Sequence, residues 1–313
     1  NILNIHDCYG CGVCAIVCAK HIIEIRINND GFYEPKIIDG FRCTNCGLCV
    51  EVCSYSHEGL SLKDACIKSY AAWSNDYLVR RKCSSGGVSF ELGRMLIGRG
   101  YKVCGVRYNI DTNRAEHYIA TTLEELIPSI GSKYIQSYTV DGFRAINRKE
   151  KYLVTGTPCQ IAGLKSYLGK EYDGLLTQDF VCHGIPSSKV WRDWKMYLEK
   201  HHSEISSVDF RSKINGWFFF HISYKLCINK FIHISSREDP YFVGFNDSLY
   251  LRESCYDCRF KKDNHYSDIT LGDFWEVKKM APVMNDDKGV SILFLNTKKA
   301  IEWYERVKQN LIY

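Results

Sequence analysis

The chain has 313 residues, a net charge of +5, 45% hydrophobic and 25% charged residues, and only six prolines. These values fit a soluble globular protein of about two domains and exclude long disordered linkers. No apolar run reaches the roughly 18 residues of a membrane span, and no charged-then-apolar leader opens the sequence, which starts at Asn1 and not Met.

Sixteen cysteines set the chain apart, and eight of them fall within the first 53 residues. They are spaced too tightly for a disulfide framework. Without an export signal, metal ligation in a reducing, cytoplasmic compartment is the expectation. Residues 1–60 carry four Lys/Arg against seven Asp/Glu, a net −3, which leaves +8 for the remainder. A basic body attracts an anionic cofactor, a nucleic acid or an acidic partner, or is simply a solvated surface. No basic run with interleaved aromatics is present, so a nucleic-acid partner is not expected.

In chain order, the first element is the run Cys8, Cys11, Cys14 and Cys18, spaced C-x2-C-x2-C-x3-C. The same spacing returns at Cys43, Cys46, Cys49 and Cys53. Three cysteines in a tight loop can aim at three corners of one cubane, and the fourth, on the departing helix, points elsewhere. In two-cluster ferredoxins that fourth cysteine serves the other cluster. The expected sets are Cys8, Cys11, Cys14 and Cys53 on one 4Fe-4S cluster, and Cys43, Cys46, Cys49 and Cys18 on the second. Zinc takes four ligands from two pairs, and two complete four-cysteine runs fit it poorly. Gly12 and Gly47 follow the second cysteine of each run, where small residues let backbone N–H groups approach cluster sulfurs. The region resembles bacterial-type two-cluster ferredoxins over residues 1–60, with Ala19 and Ser54 where a proline often follows the fourth cysteine. Between the runs, the alternation of Ile22–Ile27, the Asn28–Gly31 turn and Phe32–Ile37 read as a β-hairpin covering one face of the clusters.

Residues 56–68 are polar and read as a linker, and a mixed α/β domain is expected over 69–313. Its expected helices open near Ser85, follow Gly156–Gln160 to about Leu168, and run over Ser187–His202 and about Lys298–Gln309. Strands are expected at Tyr101–Tyr108, Tyr152–Thr155, Leu175–Val181, Val208–Phe210, Trp217–Leu226 and Ile292–Leu295. The long aromatic strands argue against a purely parallel sheet. Ser84, Ser85, Gly86 and Gly87 precede a helix, where freed backbone N–H groups make a phosphate site. There is neither a G-x-G-x-x-G fingerprint nor a Walker A motif. Cys159 and Cys182 each follow a strand, and Cys255 and Cys258 form a C-x2-C pair. These four either meet as a third metal site or, for Cys159 and Cys182, are small core residues. Cys66, Cys104 and Cys227 read as core or incidental, and Cys83 as undecided.

Six ordered motifs, at Ser84–Val88, Gly131–Tyr134, Gly156–Leu164, Cys182–Ser187, Ser254–Cys258 and Ser267–Trp275, resemble the beta-subunit family of coenzyme F420 hydrogenase and dehydrogenase. The resemblance implies FAD on the α/β domain, beside a third 4Fe-4S cluster held by Cys159, Cys182, Cys255 and Cys258. It places Ser84, Ser85, Gly86 and Gly87 along the FAD with Lys133 and Tyr134 nearby, and Thr157 and Gln160 beside flavin or cluster. Lys133 is a candidate for a flavin phosphate or ring N1, and His183 for a donor to flavin or substrate. Asp268 and Asp273 read as structural. The expected function is an oxidoreductase passing electrons between a hydride donor, such as reduced F420, and one-electron 4Fe-4S carriers through FAD. The Cys182-His-Gly-Ile-Pro form resembles bacterial members, so the hydride donor is F420, another flavin or a nicotinamide. The alternative is an electron-transfer module for a partner enzyme, for example in surface-polysaccharide synthesis, without F420. A redox partner protein or ferredoxin is expected in either case.

Overall fold

The computed structural model describes residues 1, 2, 5, 8–57, 67–169, 172–261 and 265–313. Most of the expected linker, and with it Cys66, lies outside the described residues.

The N-terminal unit is built from the repeat. Each cysteine loop ends in a glycine that opens a short helix: Gly12 (φ 78°) before Val13–Val17, and Gly47 (φ 80°) before Leu48–Glu51. This left-handed backbone is open to glycine at little cost. At Gly12 there is a second reason, since a Cβ would stand 2.5 Å from Thr139 Oγ1, whereas nothing crowds Gly47. The crowding around the glycine thus differs between the repeats. Strands Ile23–Ile27 and Tyr33–Ile37 pair antiparallel, with Ile23 opposite Ile37, as the hairpin reading expects.

In the larger unit, nine strands among the described residues form one mixed sheet. Lys102–Asn109, Tyr152–Thr155, Leu175–Phe180 and Ile269–Asp273 run parallel at its centre. Antiparallel strands flank them, Arg114–Ala120 on one side and Ser291–Leu295 on the other, and Lys68–Ser74 pairs antiparallel with the outer edge of Ser291–Leu295. The central strands are covered on both faces and largely buried, as parallel strands must be. A smaller antiparallel sheet joins Ile205–Ser212, His221–Leu226 and Phe231–Ser235. The aromatic stretch from Trp217 enters this sheet only at His221, because Asp287 caps the Trp217 and Phe218 amides and holds that segment as a turn.

Helices Val88–Ile97, Pro158–Leu168, Ser188–His201 and Lys298–Val307 match the expected ones. Pro158–Leu168 crosses over between parallel strands 152–155 and 175–180. It packs against the N-terminal unit, where one apolar cluster combines Val13, Ile16, Ile25 and Val52 with Ile161 and Leu164. Among the described residues no helix is long and apolar enough to cross a membrane.

Candidate functional site

A cavity of about 890 Å³ opens at the carboxyl ends of the parallel strands, the usual ligand position in such sheets, and within the size range of ligand pockets. Thr155–Thr157 leave one strand into it, Gln178–Cys182 another, and Leu271–Asp273 a third. The walls are mostly apolar, with Phe90, Leu126, Phe242 and Phe245 among them.

The Ser84–Gly87 turn lies at one end of this cavity. Ser84, Ser85 and Gly87 line it, while Gly86 sits behind, where a Cβ would stand 2.4 Å from the Ala72 carbonyl. The ten-residue helix after Gly87 has no side-chain cap, and its first residues Val88, Ser89 and Phe90 line the cavity. Their free N–H groups suit an anion such as a phosphate.

Lys133 and Tyr134 also line the cavity. The Lys133 ammonium donates to the carbonyls of Pro128, Ile130 and Gly131 at 2.9–3.0 Å. Burial pushes its pKa down to about 7, partly offset by Asp209. Its protons shape the loop wall, so the geometry favours a cavity-forming lysine over a catalytic one. The Tyr134 hydroxyl is held up in pKa by burial and lies 3.5 Å from Arg211 Nη1. Thr157 and Gln160 line the same cavity, but Gln160 Oε1 accepts from the Thr157 amide at 2.9 Å as a helix cap. Thr157 Oγ1 instead meets Cys159 Sγ at 3.1 Å. The exposed His183 ring engages the Phe245 carbonyl and Ser248 Oγ through Nε2, both at 3.1 Å. That nitrogen is therefore taken up by the protein.

Sequence reasoning missed Arg211 and Gln178. Arg211 is 5% exposed, lines the cavity and pairs with Asp273 at 2.5 Å. Gln178 leaves its buried Oε1 in the wall without a hydrogen-bond partner among the described residues. Asp268 is structural as expected: it accepts from the Thr177 amide and hydroxyl and from Thr297.

Cys182 bounds the cavity, and behind it the other three cysteines converge. Cys159 is buried, and its thiol is pushed up by that burial and by the charges of Cys182, Cys258 and Cys255. Burial also lifts Cys182 to about 12, with Cys255 and Cys258 adding to it. The first turn of a helix, the end of the next strand and a distant turn thus bring four thiols together, although 73 positions separate Cys182 from Cys255 in the chain.

In the first ferredoxin set the thiols likewise act on one another. Burial raises Cys11 to about 12, reinforced by Cys53 and Cys8, and Cys14 feels Cys11, Cys8, Cys53 and Cys49. Cys53 acts on Cys8, Cys11 and Cys14 alike. Cys18, Cys43 and Cys49 are half-buried against the same apolar cluster, and Cys46 is exposed. Every described cysteine is free. Among the described residues no three His, Cys, Asp or Glu close on a point tightly enough for a single metal ion. Buried thiols that raise one another's pKa become good ligands only when a cationic core offsets their charge, so the donor sets fit an iron–sulfur cluster. Cys104 is fully buried core, Cys227 is exposed, and Cys83 is buried on the cavity wall, raised to about 12 by desolvation.

Tyr9 links the two buried sets. It packs with Cys159, Ala162 and Phe260, and Cys258 contributes to the upward shift of its pKa after burial itself. Its neighbour Cys8 belongs to the first set.

The family model for the C terminus of the coenzyme F420 hydrogenase/dehydrogenase beta subunit matches residues 149–313, just over half the chain. A 4Fe-4S dicluster domain model matches residues 7–56. A coenzyme F420-dependent sulfite reductase of Methanocaldococcus jannaschii is 27% identical over 163 residues, 50% of this chain and 24% of that protein. The chain therefore spans about a quarter of the length of that relative. The fold is similar to a chain of the F420-reducing NiFe hydrogenase complex from Methanosarcina barkeri, with a TM-score of 0.56, 16% identity, and 82% of this chain and 84% of that one covered.

Proposed function

Because the chain belongs to the coenzyme F420 hydrogenase/dehydrogenase beta-subunit family and carries a 4Fe-4S dicluster domain, it is an iron–sulfur electron-transfer protein, and we propose that it couples a hydride donor to one-electron carriers through FAD. One observation carries the reading: the cavity that would hold the flavin ends at Cys182, a member of the third thiol set.

In this reading Cys8, Cys11, Cys14 and Cys53 hold one 4Fe-4S cluster, and Cys43, Cys46, Cys49 and Cys18 hold the second. Cys159, Cys182, Cys255 and Cys258 hold the third. A bound flavin supplies the conversion between a two-electron hydride and single electrons. The uncapped helix start and Ser84 bind the flavin's phosphates, and the apolar walls exclude water from the ring. Lys133 holds the loop that closes the wall. Tyr9 fills the gap between the third set and the first, and the exposed Cys46 loop faces a redox partner protein. F420 is the favoured donor, by likeness to the relatives.

The test is anaerobic mixing of the cluster-loaded, FAD-loaded chain with reduced F420, NADH or reduced FMN. Bleaching of the cluster absorbance with stoichiometric F420 oxidation supports the reading. No cluster reduction by any of the three leaves a module that only relays a partner's electrons.

A further inference from the structure

Arg252 is 5% exposed, and each of its three nitrogens faces a group of the protein. Nε donates to the Cys8 carbonyl, Nη1 to the Tyr33 carbonyl at 2.8 Å, and Nη2 points at Cys8 Sγ from 3.7 Å. These acceptors are neutral in the thiol form of the site. The other buried arginines are handled differently: Arg80 pairs with Asp286 and Arg211 with Asp273. Among the described residues no carboxylate reaches ion-pair distance of Arg252. The Phe32 ring is centred 5.5 Å from its guanidinium carbon. A buried cation without a counter-ion is costly, so the fold must provide negative charge by another route.

The side chain and the backbone of Arg252 each meet a loop of one buried thiol set. The side chain grips the Cys8 loop. The backbone amide donates to the Ile185 carbonyl at 2.8 Å, three residues beyond Cys182, and the chain turns directly into Glu253–Cys255. The Cys255 amide in turn donates to the Arg252 carbonyl at 2.8 Å, so the arginine is tied to the loop of the third set as well as to that of the first. A cubane held by four thiolates is net negative and gains one more charge on reduction, so a fixed cation beside it favours the reduced form.

We propose that Arg252 is the shared counter-charge of two iron–sulfur sites, the one at Cys8, Cys11, Cys14 and Cys53 and the one at Cys159, Cys182, Cys255 and Cys258. Raised together, both sites accept an electron at a less negative potential than their thiolates alone would set. The proposal rests on the cluster reading above and adds a residue that touches neither iron nor flavin. Arg252 is a positioning and charge-setting residue.

The experiment is an EPR-monitored redox titration of the anaerobically reconstituted full chain, wild type against Arg252→Gln and Arg252→Lys, with iron measured on each sample. Arg252→Gln should retain its iron and shift both buried clusters negative, at least threefold in their reduction constants or about 28 mV at 59 mV per decade. The exposed second cluster should not move, and Arg252→Lys should restore most of the shift. Unchanged potentials with iron retained, or a shift at one buried cluster only, would overturn the proposal. If Arg252→Gln does not fold, Phe32→Glu asks the same question: it leaves the guanidinium bonds in place and supplies the missing carboxylate. Both potentials should again fall, and constancy there overturns the proposal. Wild-type protein without iron at either buried set would instead defeat the cluster reading itself.

Discussion

Gly163 stands against Cys11: a Cβ on Gly163 would lie 3.1 Å from the Cys11 sulfur and 3.1 Å from Val13 Cγ2. Cys159 is four residues earlier on the same helix, hence on the same face. One helix therefore carries a thiol of the third set and the docking point of the first. Adding a methyl here should force the two units apart. Gly163→Ala is expected to cost about 1–3 kcal/mol by overpacking, and Gly163→Val more. Thermal unfolding and iron retention check this, with iron lost before the larger domain melts.

Burial separates the two ferredoxin sets. Cys53 is 6% exposed while Cys46 is exposed. Cys46→Ser should remove about four iron atoms per chain, leave the rest intact and block reduction of an external partner. Cys53→Ser should also remove about four, and in addition cut the route between the cavity and the exposed set. Iron analysis with a ferredoxin-reduction assay distinguishes the two.

Lys133 carries a pH signature. With its pKa lowered to about 7 by burial, its charge is present below that value and lost above it. Affinity for an anionic flavin should therefore fall as pH rises through that value. Lys133→Met should remove the pH dependence and weaken flavin binding on the acid side, since both the charge and the three carbonyl bonds go. Fluorescence titration of FAD into flavin-depleted protein at about pH 6 and about pH 8.5, one either side of that pKa, reads both effects.

His117 predicts acid sensitivity. It is 2% exposed, engages the Thr155 carbonyl through Nε2 at 3.0 Å, and is lowered by burial from 6.5 to about 4. The unfolded chain thus binds the proton first. Its contribution to stability is complete above pH 6.5 and is lost as pH falls toward 4, by roughly 3 kcal/mol. His117→Gln should show a flatter decline in apparent melting temperature across that same acid range.

The ferredoxin unit was legible because ligand spacing is local: the repeat, the glycines and the hairpin all lie within 46 residues, from Cys8 to Cys53. Helix 188–201 was legible from its apolar stripe and helix 158–168 from its place after strand 152–155, though the Thr157 cap that starts the latter was not read. Strand Arg114–Ala120 was not, since its Glu116 and His117 are buried by tertiary partners and not by an apolar pattern. Arg252 was invisible for the same reason. Its partner Cys8 is 244 residues away, and nothing in Leu251-Arg-Glu-Ser-Cys255 announces a buried guanidinium. Lys133 and His183 look like free functional groups in sequence, yet backbone carbonyls occupy them in the fold.

The most direct test is iron, zinc and flavin per chain, measured on one anaerobically purified sample. Three cubanes and a flavin cavity predict about 12 iron atoms together with one FAD and no stoichiometric zinc. About 8 iron atoms without flavin would remove the third site and the cavity's role, and zinc in place of iron would contradict the redox assignment altogether.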